Sequence, residues 1–315
     1  MRKLNSDVIK QQALAVVAQA IPEHHARFAQ TLDRVPAAHW ALEWNLPWWL
    51  GSTFGMKENI FLNLCASNVL GLVALRLYDD LSDRQLARTA RVPARTLAQR
   101  LEEIAMQFYR PYFDASDSFW TYAANWMNAW HAATRTVPLC TRENVETLYA
   151  LHQPPAQHIA KLGAPLKLNA LAVSRLTMRP EIFSPLQEIL DHVLIAAVLH
   201  DHVVDWATDL QANRQNFFIG YLSPCAQTKE NQSANCAHVA QGWIEDAPRA
   251  YFQIITYHLD RARDKCNALN IIPLCAHLTR FKSQTAALYR ARRSMYRKQV
   301  QRAAREIFKI HFALP

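Results

Sequence analysis

The chain has 315 residues, of which 50% are hydrophobic, so it can bury a sizeable core, and this excludes a wholly disordered protein. It contains only 6 glycines, and because tight strand turns and phosphate-binding loops use glycine, the composition favours an all-α protein. A formal net charge of +9 keeps nucleic acid, an anionic membrane surface and a phosphorylated substrate as candidate partners.

Apolar periodicity and the positions of the prolines predict a series of helices. Pro47 and Pro93 mark two of the predicted breaks, Pro165 is expected to break or kink the sixth helix, and Pro248 is expected to do the same to the eighth. The predicted helices run approximately over residues 6–20, 23–34, 56–81, 94–109, 116–133, 142–173, 184–210, 239–268 and 276–308.

The sequence shows no obvious targeting or linker segment. The first 25 residues predict an amphipathic helix rather than a signal peptide, and because no run of 18 apolar residues occurs, we expect no transmembrane segment. No compositional shift divides the chain, so residues 1–315 are expected to form a single domain. Six scattered cysteines without a CxxC pair indicate free thiols in a reducing, cytoplasmic setting.

Two segments have two interpretations each. The aromatic segment from His39 to Trp49 either lines an apolar cavity or packs between helices. The polar segment from Ser223 to His238 predicts a long loop, which is either a mobile lid over a site or a plain surface connection.

A first cluster of aspartates follows a long apolar stretch. The string DDLSD contains Asp79, Asp80 and Asp83, and the apolar stretch from Ile60 to Tyr78 precedes it. On a helix, Asp79 and Asp83 share a face because residues four apart have Cβ atoms about 6 Å from each other.

A second cluster has the same character. Asp201, Asp205 and Asp209 recur every four residues in LHDHVVDWATD, again after an apolar stretch. Each step of four turns only about 40° around a helix axis, so the three carboxylates form one stripe. Like charges at this spacing destabilise a helix by a few tenths of a kcal/mol per pair. An acidic stripe that continues an apolar face is therefore better suited to a pocket mouth than to plain surface.

Magnesium suits carboxylates in this setting. It takes oxygen ligands and binds through one or two carboxylates together with substrate phosphates. We therefore expect the two clusters to face each other and to clamp a diphosphate through Mg²⁺, which would assist C–O cleavage as a Lewis acid. The expected catalytic set includes Asp80, and the expected metal ligands are Asp79, Asp83, Asp201, Asp205 and Asp209.

At these residues the chain resembles the class I isoprenoid synthases, which comprise the terpene synthases and the trans-prenyltransferases. DDLSD matches their first DDxxD motif, and Asp201, Asp205 and Asp209 match the spacing of their second metal site. The chain departs from the family at two positions. His202 stands where prenyltransferases have a second aspartate, and Asp205 stands where many terpene cyclases have serine or threonine.

The resemblance also points to diphosphate-binding residues. Lys161 lies close to the place of a diphosphate-binding lysine in prenyltransferases, although a surface lysine is an equal interpretation. Arg214 follows the second motif and contacts either phosphate or a turn. Terpene synthases often bring an Arg–Tyr pair to the diphosphate, and Arg290, Arg293 and Tyr296 occupy the comparable region.

The family implies a single-domain class I isoprenoid synthase-like helical bundle around a central apolar cavity. It implies three Mg²⁺ ions, a prenyl diphosphate substrate and a carbocation formed in a dry pocket, with no nucleic-acid partner and with a homodimer left open. Chain-elongating prenyltransferases usually show GGKxxRP before the first motif and an Arg–Arg pair shortly after it, and this chain shows neither at these places. A terpene synthase (cyclase) is therefore the favoured function, and a trans-prenyltransferase that couples or elongates prenyl diphosphates is the alternative.

Two rivals come from other classes. An HD-type metal phosphohydrolase would use the doublet His200-Asp201 and recruit His192 and Asp260, but it leaves DDLSD unexplained. A non-enzymatic protein would bind nucleic acid through the basic segment from Tyr289 to Arg305, and it gives the aspartates no role.

Overall fold

The computed structural model describes residues 6–82, 87–136, 140–212, 214–222 and 239–312. All regular secondary structure in these ranges is helical, which confirms the all-α prediction. Short 3₁₀ helices lie at Pro22–His24, Thr147–Tyr149 and Pro180–Ile182. The α-helices are α1 Ser6–Ala20, α2 His25–Asp33, α3 Ala41–Phe54, α4 Glu58–Ser82, α5 Arg88–Gln107, α6 Ser118–Ala133, α7 Arg142–Glu146, α8 Pro154–Leu162, α9 Ala164–Leu176, α10 Phe183–Gln211, α11 Phe217–Leu222, α12 239–244, α13 Pro248–Ala268 and α14 Ile272–Phe312.

Local sequence explains several helix ends. The Thr141 side chain accepts a hydrogen bond from the backbone N–H of Asn144 at 3.3 Å, which caps the start of α7. Pro154 begins α8, where the missing N–H costs nothing. Gly55 ends α3 in the left-handed conformation with φ +77°, which only glycine adopts without a steric cost.

The prediction of helix breaks at Pro47 and Pro93 is wrong. Pro47 lies inside α3, a helix that the sequence did not predict, and Pro93 lies inside α5. An internal proline removes one intrahelical hydrogen bond. Both helices nevertheless continue, because apolar residues beyond each proline are buried, such as Trp49 in α3 and Leu97 in α5.

The other two proline predictions are confirmed. The long predicted segment 142–173 is divided into α7, a 3₁₀ turn, α8 and α9, and Pro248 begins α13 as a separate helix after α12. The aromatic segment from His39 to Trp49 had two interpretations, cavity lining or packing between helices. Trp44 is 3% exposed and donates its indole N–H to the Val35 carbonyl oxygen at 2.9 Å. At Trp44 this segment packs between helices.

Contacts divide the chain into two compact units. The first comprises Met1–Trp130, Ala164–Gln187 and Leu269–Leu274, and the second comprises His131–Gly163, Glu188–Ala268 and Cys275–Pro315. In the first unit α4 packs against α1, α3 and α5, and its buried face supplies much of the core. Burial of such side chains stabilises a fold by roughly 1.5–3 kcal/mol for each large apolar residue.

A buried polar network crosses the first unit. The Tyr109 hydroxyl donates to Asn169 at 3.0 Å, Asn169 donates to Asn68 at 2.7 Å, and Asn68 donates to the Glu43 carbonyl oxygen at 2.7 Å. The side chains of Tyr109, Asn169 and Asn68 thus have hydrogen-bond partners, as a low-dielectric interior requires. The network fixes α4, α9 and α3 relative to one another within this unit.

The second unit is built on aromatic packing and one close backbone approach. Phe218 and Trp243 pack with ring centroids 5.6 Å apart, and Phe218 meets Tyr251 edge-on at 5.2 Å. Gly220 brings α11 against the chain before α7, where an added Cβ would stand 1.4 Å from the carbonyl oxygen of Cys140. Only glycine fits there, because a backbone carbonyl does not swing aside as a side chain does.

Two helices are long and apolar enough to cross a membrane by length and composition alone. They span Glu58–Leu81 and Pro180–Gln211, and 67% and 50% of their most apolar windows are buried inside the protein. Core helices of soluble proteins pass the same test, especially when mostly buried. The expectation that no segment spans a membrane therefore stays a prediction.

The approach at Gly220 predicts a large effect of one methyl group. We expect Gly220→Ala to lower the free energy of unfolding by more than about 2 kcal/mol, because the backbone of Cys140 must move. Gly71→Ala is the matched control, since no atom lies within 4 Å of its added Cβ, and alanine there should be neutral or stabilising by up to about 1 kcal/mol. Urea titration measures both, and equal midpoints would contradict the assignment.

Candidate functional site

The first aspartate motif lies at the end of α4 in the first unit. Asp80 is 1% exposed and accepts hydrogen bonds from both Nη atoms of Arg34, at 2.6 and 3.1 Å. Arg76, one turn earlier on α4, adds an Nη2–Oδ1 ion pair at 3.2 Å. This carboxylate is therefore held by two guanidinium groups, an arrangement that favours a structural role for Asp80 over metal binding.

The two other carboxylates of this motif have different positions. Asp79 is partly exposed at the end of α4. Asp83 lies outside the described residues, so the expected pairing of the two on one helix face stays a prediction. Consecutive residues on a helix point about 100° apart, so with Asp80 turned inward, Asp79 is directed to a different side of α4.

A small cavity lies beside α4 inside the first unit. Asn68 and Gly71 of α4 line it together with Tyr109 and Trp130, and its volume is about 50 Å³. Sites for small molecules measure roughly 300–1,000 Å³, so this cavity does not hold a prenyl chain. Glu102 also lines it, and burial raises the pKa of this carboxyl to about 7. This cavity is therefore not the apolar substrate cavity expected from the sequence.

The second aspartate motif occupies the last turns of α10 in the second unit. Asp201 and Asp205 are exposed, whereas Asp209 is 9% exposed. The earlier turns of the same helix are buried and apolar, with Ile195 and Leu199 fully covered. The predicted stripe on α10 thus ends in two accessible carboxylates and one that is buried.

Asn216 explains why Asp209 is buried. Its side-chain N–H donates to Asp209 Oδ2 at 2.7 Å and to the His202 carbonyl oxygen at 3.0 Å. Its side-chain oxygen accepts from the backbone N–H groups of Phe218 and Ile219, at 2.9 and 3.1 Å, and so caps α11. Asp209 is therefore part of the joint between α10 and α11.

His202 belongs to the same joint. Its Nδ1 accepts a hydrogen bond from the backbone N–H of Phe217 at 2.9 Å, so this ring nitrogen carries no proton. Burial lowers the pKa of His202 to about 4, which keeps the ring uncharged at neutral pH. The residue that stands in place of the second prenyltransferase aspartate thus caps a helix in this chain.

The basic residues expected to bind diphosphate all lie in the second unit, in different settings. Lys161 is exposed in the last turn of α8. Arg214 lies near Asp209, with Nη1 3.7 Å from Oδ1. Arg290 is exposed on α14, whereas Arg293 forms an ion pair. Tyr296 is 9% exposed because it stacks on an indole ring, so it contributes packing at this position.

Asp246 organises the start of this basic region, and no sequence pattern predicted this role. Its carboxylate accepts a hydrogen bond from the Tyr289 hydroxyl and pairs with Arg293 Nη2 at 2.8 Å. The residue adopts φ +66°, a left-handed conformation that aspartate tolerates better than most side chains. Trp243 stacks on Tyr296 with centroids 5.8 Å apart and planes inclined by 10°.

Along α14 a shallow basic groove runs beyond these contacts. Its volume is about 360 Å³, and its lining residues are Tyr289, Arg290, Arg293, Ser294, Arg297, Lys298 and Gln301. Spacings of three and four place these residues on one helix face. Guanidinium and ammonium groups on one face bind phosphate oxygens through charge-assisted hydrogen bonds. Arg297 and Lys298 thus extend the set that the sequence singled out.

The residues of the rival phosphohydrolase have structural partners. His200 Nδ1 lies 3.1 Å from the Thr285 hydroxyl, and its ring packs edge-on against Phe281. Asp260 accepts from Lys282 Nζ at 2.6 and 2.7 Å. These contacts hold His200 and Asp260 against α14, so the two side chains do not face a common point as metal ligands would.

His192, the remaining residue of that rival, forms a buried pair. Its Nδ1 lies 2.8 Å from Nδ1 of His258, whose Nε2 lies 2.9 Å from the Leu148 carbonyl oxygen. Because Nε2 must donate to that carbonyl, Nδ1 of His258 accepts from His192, and both rings are neutral. Burial lowers the pKa of His192 to about 4 and that of His258 to about 3.

Within the described part of the chain, no three His, Cys, Asp or Glu side chains converge as a group able to hold a metal ion. Magnesium differs from zinc in needing few protein ligands, since it binds through one or two carboxylates plus water and phosphate oxygens. Asp201 and Asp205, exposed and one turn apart, provide a carboxylate pair of that kind.

The role of Asp80 predicts a stability effect. We expect Asp80→Asn to lower the free energy of unfolding by about 2–3 kcal/mol, because the hydrogen bonds and ion pairs from Arg34 and Arg76 to this buried side chain lose the carboxylate charge. Asp33→Asn removes an exposed ion pair with Lys10 of the same unit and should cost less than about 1 kcal/mol. Urea unfolding separates these outcomes, and equal losses would show that Asp80 is not a structural anchor.

The histidine pair predicts acid sensitivity. The unfolded chain takes up protons on these imidazoles below about pH 6.5, whereas the folded chain does so only near pH 4 and 3. Their contribution is therefore present above pH 6.5 and is lost as pH falls, by about 1.4 kcal/mol per pH unit for each ring. His192→Asn should flatten the fall in unfolding free energy between pH 6.5 and 4.5, measured by urea titration. His152→Gln, which changes an exposed histidine, should leave the slope unchanged, and the same slope in both variants would refute the assignment.

No family model matches the chain, and no curated protein matches it. A function for this chain is therefore inferred from the chemistry of its own side chains.

Proposed function

We propose that the chain is a class I terpene synthase, which ionises an allylic prenyl diphosphate with magnesium held by two aspartate motifs. The observation that carries the proposal is the pair of exposed carboxylates Asp201 and Asp205 at the end of a buried apolar helix. Two carboxylates one turn apart on a helix lie on one face, and Mg²⁺ binds through one or two carboxylates together with phosphate oxygens. The pair is thus chemically suited to a divalent ion.

The residues that would hold magnesium follow from exposure. Asp201 and Asp205 would bind it in the second unit, and Asp79 in the first, where Asp80 is held by two arginines. Asp209 supports the end of α10 through Asn216. When bound, magnesium supplies Lewis-acid stabilisation of the charge that develops on the departing diphosphate.

The cationic residues of the second unit would bind the diphosphate rather than the metal. The groove on α14 offers Arg290, Arg297 and Lys298 to phosphate oxygens, and Asp246 holds Arg293 in place at its start. Cations fixed before the substrate arrives stabilise developing negative charge without a reorganisation cost. We therefore assign this groove to the diphosphate, with Arg214 as a further contact.

The alternative within the same superfamily is a trans-prenyltransferase. Such an enzyme joins two prenyl units and so needs a second, non-allylic substrate, whereas a cyclase needs one allylic diphosphate alone. The two functions therefore differ in substrate requirement. Incubation with geranyl, farnesyl or geranylgeranyl diphosphate, each with and without isopentenyl diphosphate, distinguishes them. A longer diphosphate formed only when both are present would support the alternative.

The proposal predicts a magnesium-dependent activity that needs the exposed pair. We expect wild-type protein with one allylic diphosphate to release pyrophosphate and a hydrocarbon or alcohol, and to stop when EDTA removes the metal. Asp201→Asn and Asp205→Asn should each reduce the rate at least about 100-fold, since each removes one magnesium ligand.

Asp264→Asn is the matched control, because this aspartate is also exposed on a helix of the same unit but outside both motifs. It should keep the wild-type rate. Release of pyrophosphate that is unaffected by EDTA, or an equal loss in all three variants, would exclude the proposed role of the α10 carboxylates.

A further inference from the structure

Helices α13 and α14 form an antiparallel hairpin, and residue pairs join the two helices at matching distances from the turn. Asn270, with φ +54°, separates the two helices. Farther from this turn, Asp260 on α13 pairs with Lys282 on α14. Beyond them, Phe252 packs on Tyr289 with ring centroids 5.0 Å apart. Each pair lies at a similar distance in sequence on either side of the turn, so the two helices run antiparallel in a fixed register.

The same register brings two thiols together near the turn. Cys266 lies on α13 four residues before Asn270, and Cys275 lies on α14 five residues after it. The Cys275 thiol donates to Asn267 Oδ1 at 3.0 Å and lies 3.7 Å from the carbonyl oxygen of Arg263. Arg263 and Asn267 lie on either side of Cys266 along α13. Cys275 therefore packs against the turn of α13 that carries Cys266.

The two thiols differ in access. Cys266 is 0% exposed, and Cys275 is partly exposed. An oxidant therefore reaches Cys275 first, while Cys266 lies buried on the turn of α13 against which Cys275 packs. This order, with an accessible thiol and a resolving thiol beside it, is the arrangement in which oxidation ends in a disulfide rather than in a sulfinic acid.

We propose that Cys266 and Cys275 form a reversible disulfide that clips the α13–α14 hairpin when the protein meets a hydroperoxide. The Cys275 thiolate attacks the peroxide oxygen, the O–O bond breaks, and an alcohol or water leaves with the thiol proton. Cys266 sulfur then attacks the resulting sulfenic sulfur and releases water. Two thiols are oxidised by two electrons in total, and one hydroperoxide is reduced.

Burial tunes the rate of this reaction. It raises the pKa of both thiols, so little thiolate is present at neutral pH. Attack on peroxide is then slow compared with that of specialised peroxide-reducing cysteines. The pair consequently responds to sustained exposure to oxidant. The inference does not depend on the terpene synthase proposal.

The experiment uses the full chain with Cys225 and Cys236, which lie outside the described residues, replaced by serine. The protein is treated with hydrogen peroxide, quenched with an alkylating agent and digested without reductant. We expect a cross-linked peptide pair containing Cys266 and Cys275, a loss of two hydrogens in the intact mass, and full reversal by dithiothreitol.

Three variants control the result. Cys266→Ser and Cys275→Ser should each abolish the cross-link, and Cys140→Ser, which removes another buried thiol of the second unit, should leave it intact. Thermal melts under reducing conditions confirm that each variant is folded. Oxidation of Cys275 to sulfinic acid without a cross-link, or a cross-link to any other cysteine, would overturn the proposal.

Discussion

The carboxylate of Asp80 is buried, and a buried carboxylate is stable only when cations and hydrogen-bond donors surround it. Arg34 and Arg76 meet this requirement, and because Arg34 lies outside α4, its ion pair with Asp80 helps to fix the rotation of α4 about its axis where the apolar segment ends. Because that rotation is fixed, the neighbouring Asp79 points to a different side of the helix. One aspartate of the doublet thus sets the direction of the other.

The second motif shows the same division between structural and accessible carboxylates. Asp209 is bound by Asn216, which at once caps α11 and contacts the backbone of α10. Asp201 and Asp205 remain exposed on the preceding turns. In both motifs an acidic residue is used to hold the scaffold that presents the others. Rigid support of this kind is what a metal or phosphate site requires, because small displacements of its ligands weaken binding.

The sequence predicted the helical class and most helix positions, because apolar periodicity and proline placement are local signals. It failed at Pro47, where burial of the aromatic residues around the proline outweighs one lost hydrogen bond. It also did not separate the exposed carboxylates from the buried ones. Whether a carboxylate is exposed or bound by arginine depends on residues distant in sequence, such as Arg34 for Asp80. Asn216 had a detectable signal, since an asparagine directly before an apolar run is typical of a helix N-cap. Asp246 had none, because its left-handed conformation and its two partners on α14 arise from tertiary packing.

The basic face of α14 has a consequence for the solution conditions in which this helix is stable. Arg290, Arg293 and Arg297 lie three and four residues apart, so each repels its neighbours by a few tenths of a kcal/mol. Only Arg293 has a described carboxylate partner, Asp246, and that partner lies at one end of the face. Mobile counterions must offset the remaining repulsion between these arginines. At about 0.1 M salt the Debye length is roughly 10 Å, comparable to two turns of helix, whereas in dilute buffer repulsion extends along the whole face. Ionic strength therefore changes the stability of this arginine-rich part of α14.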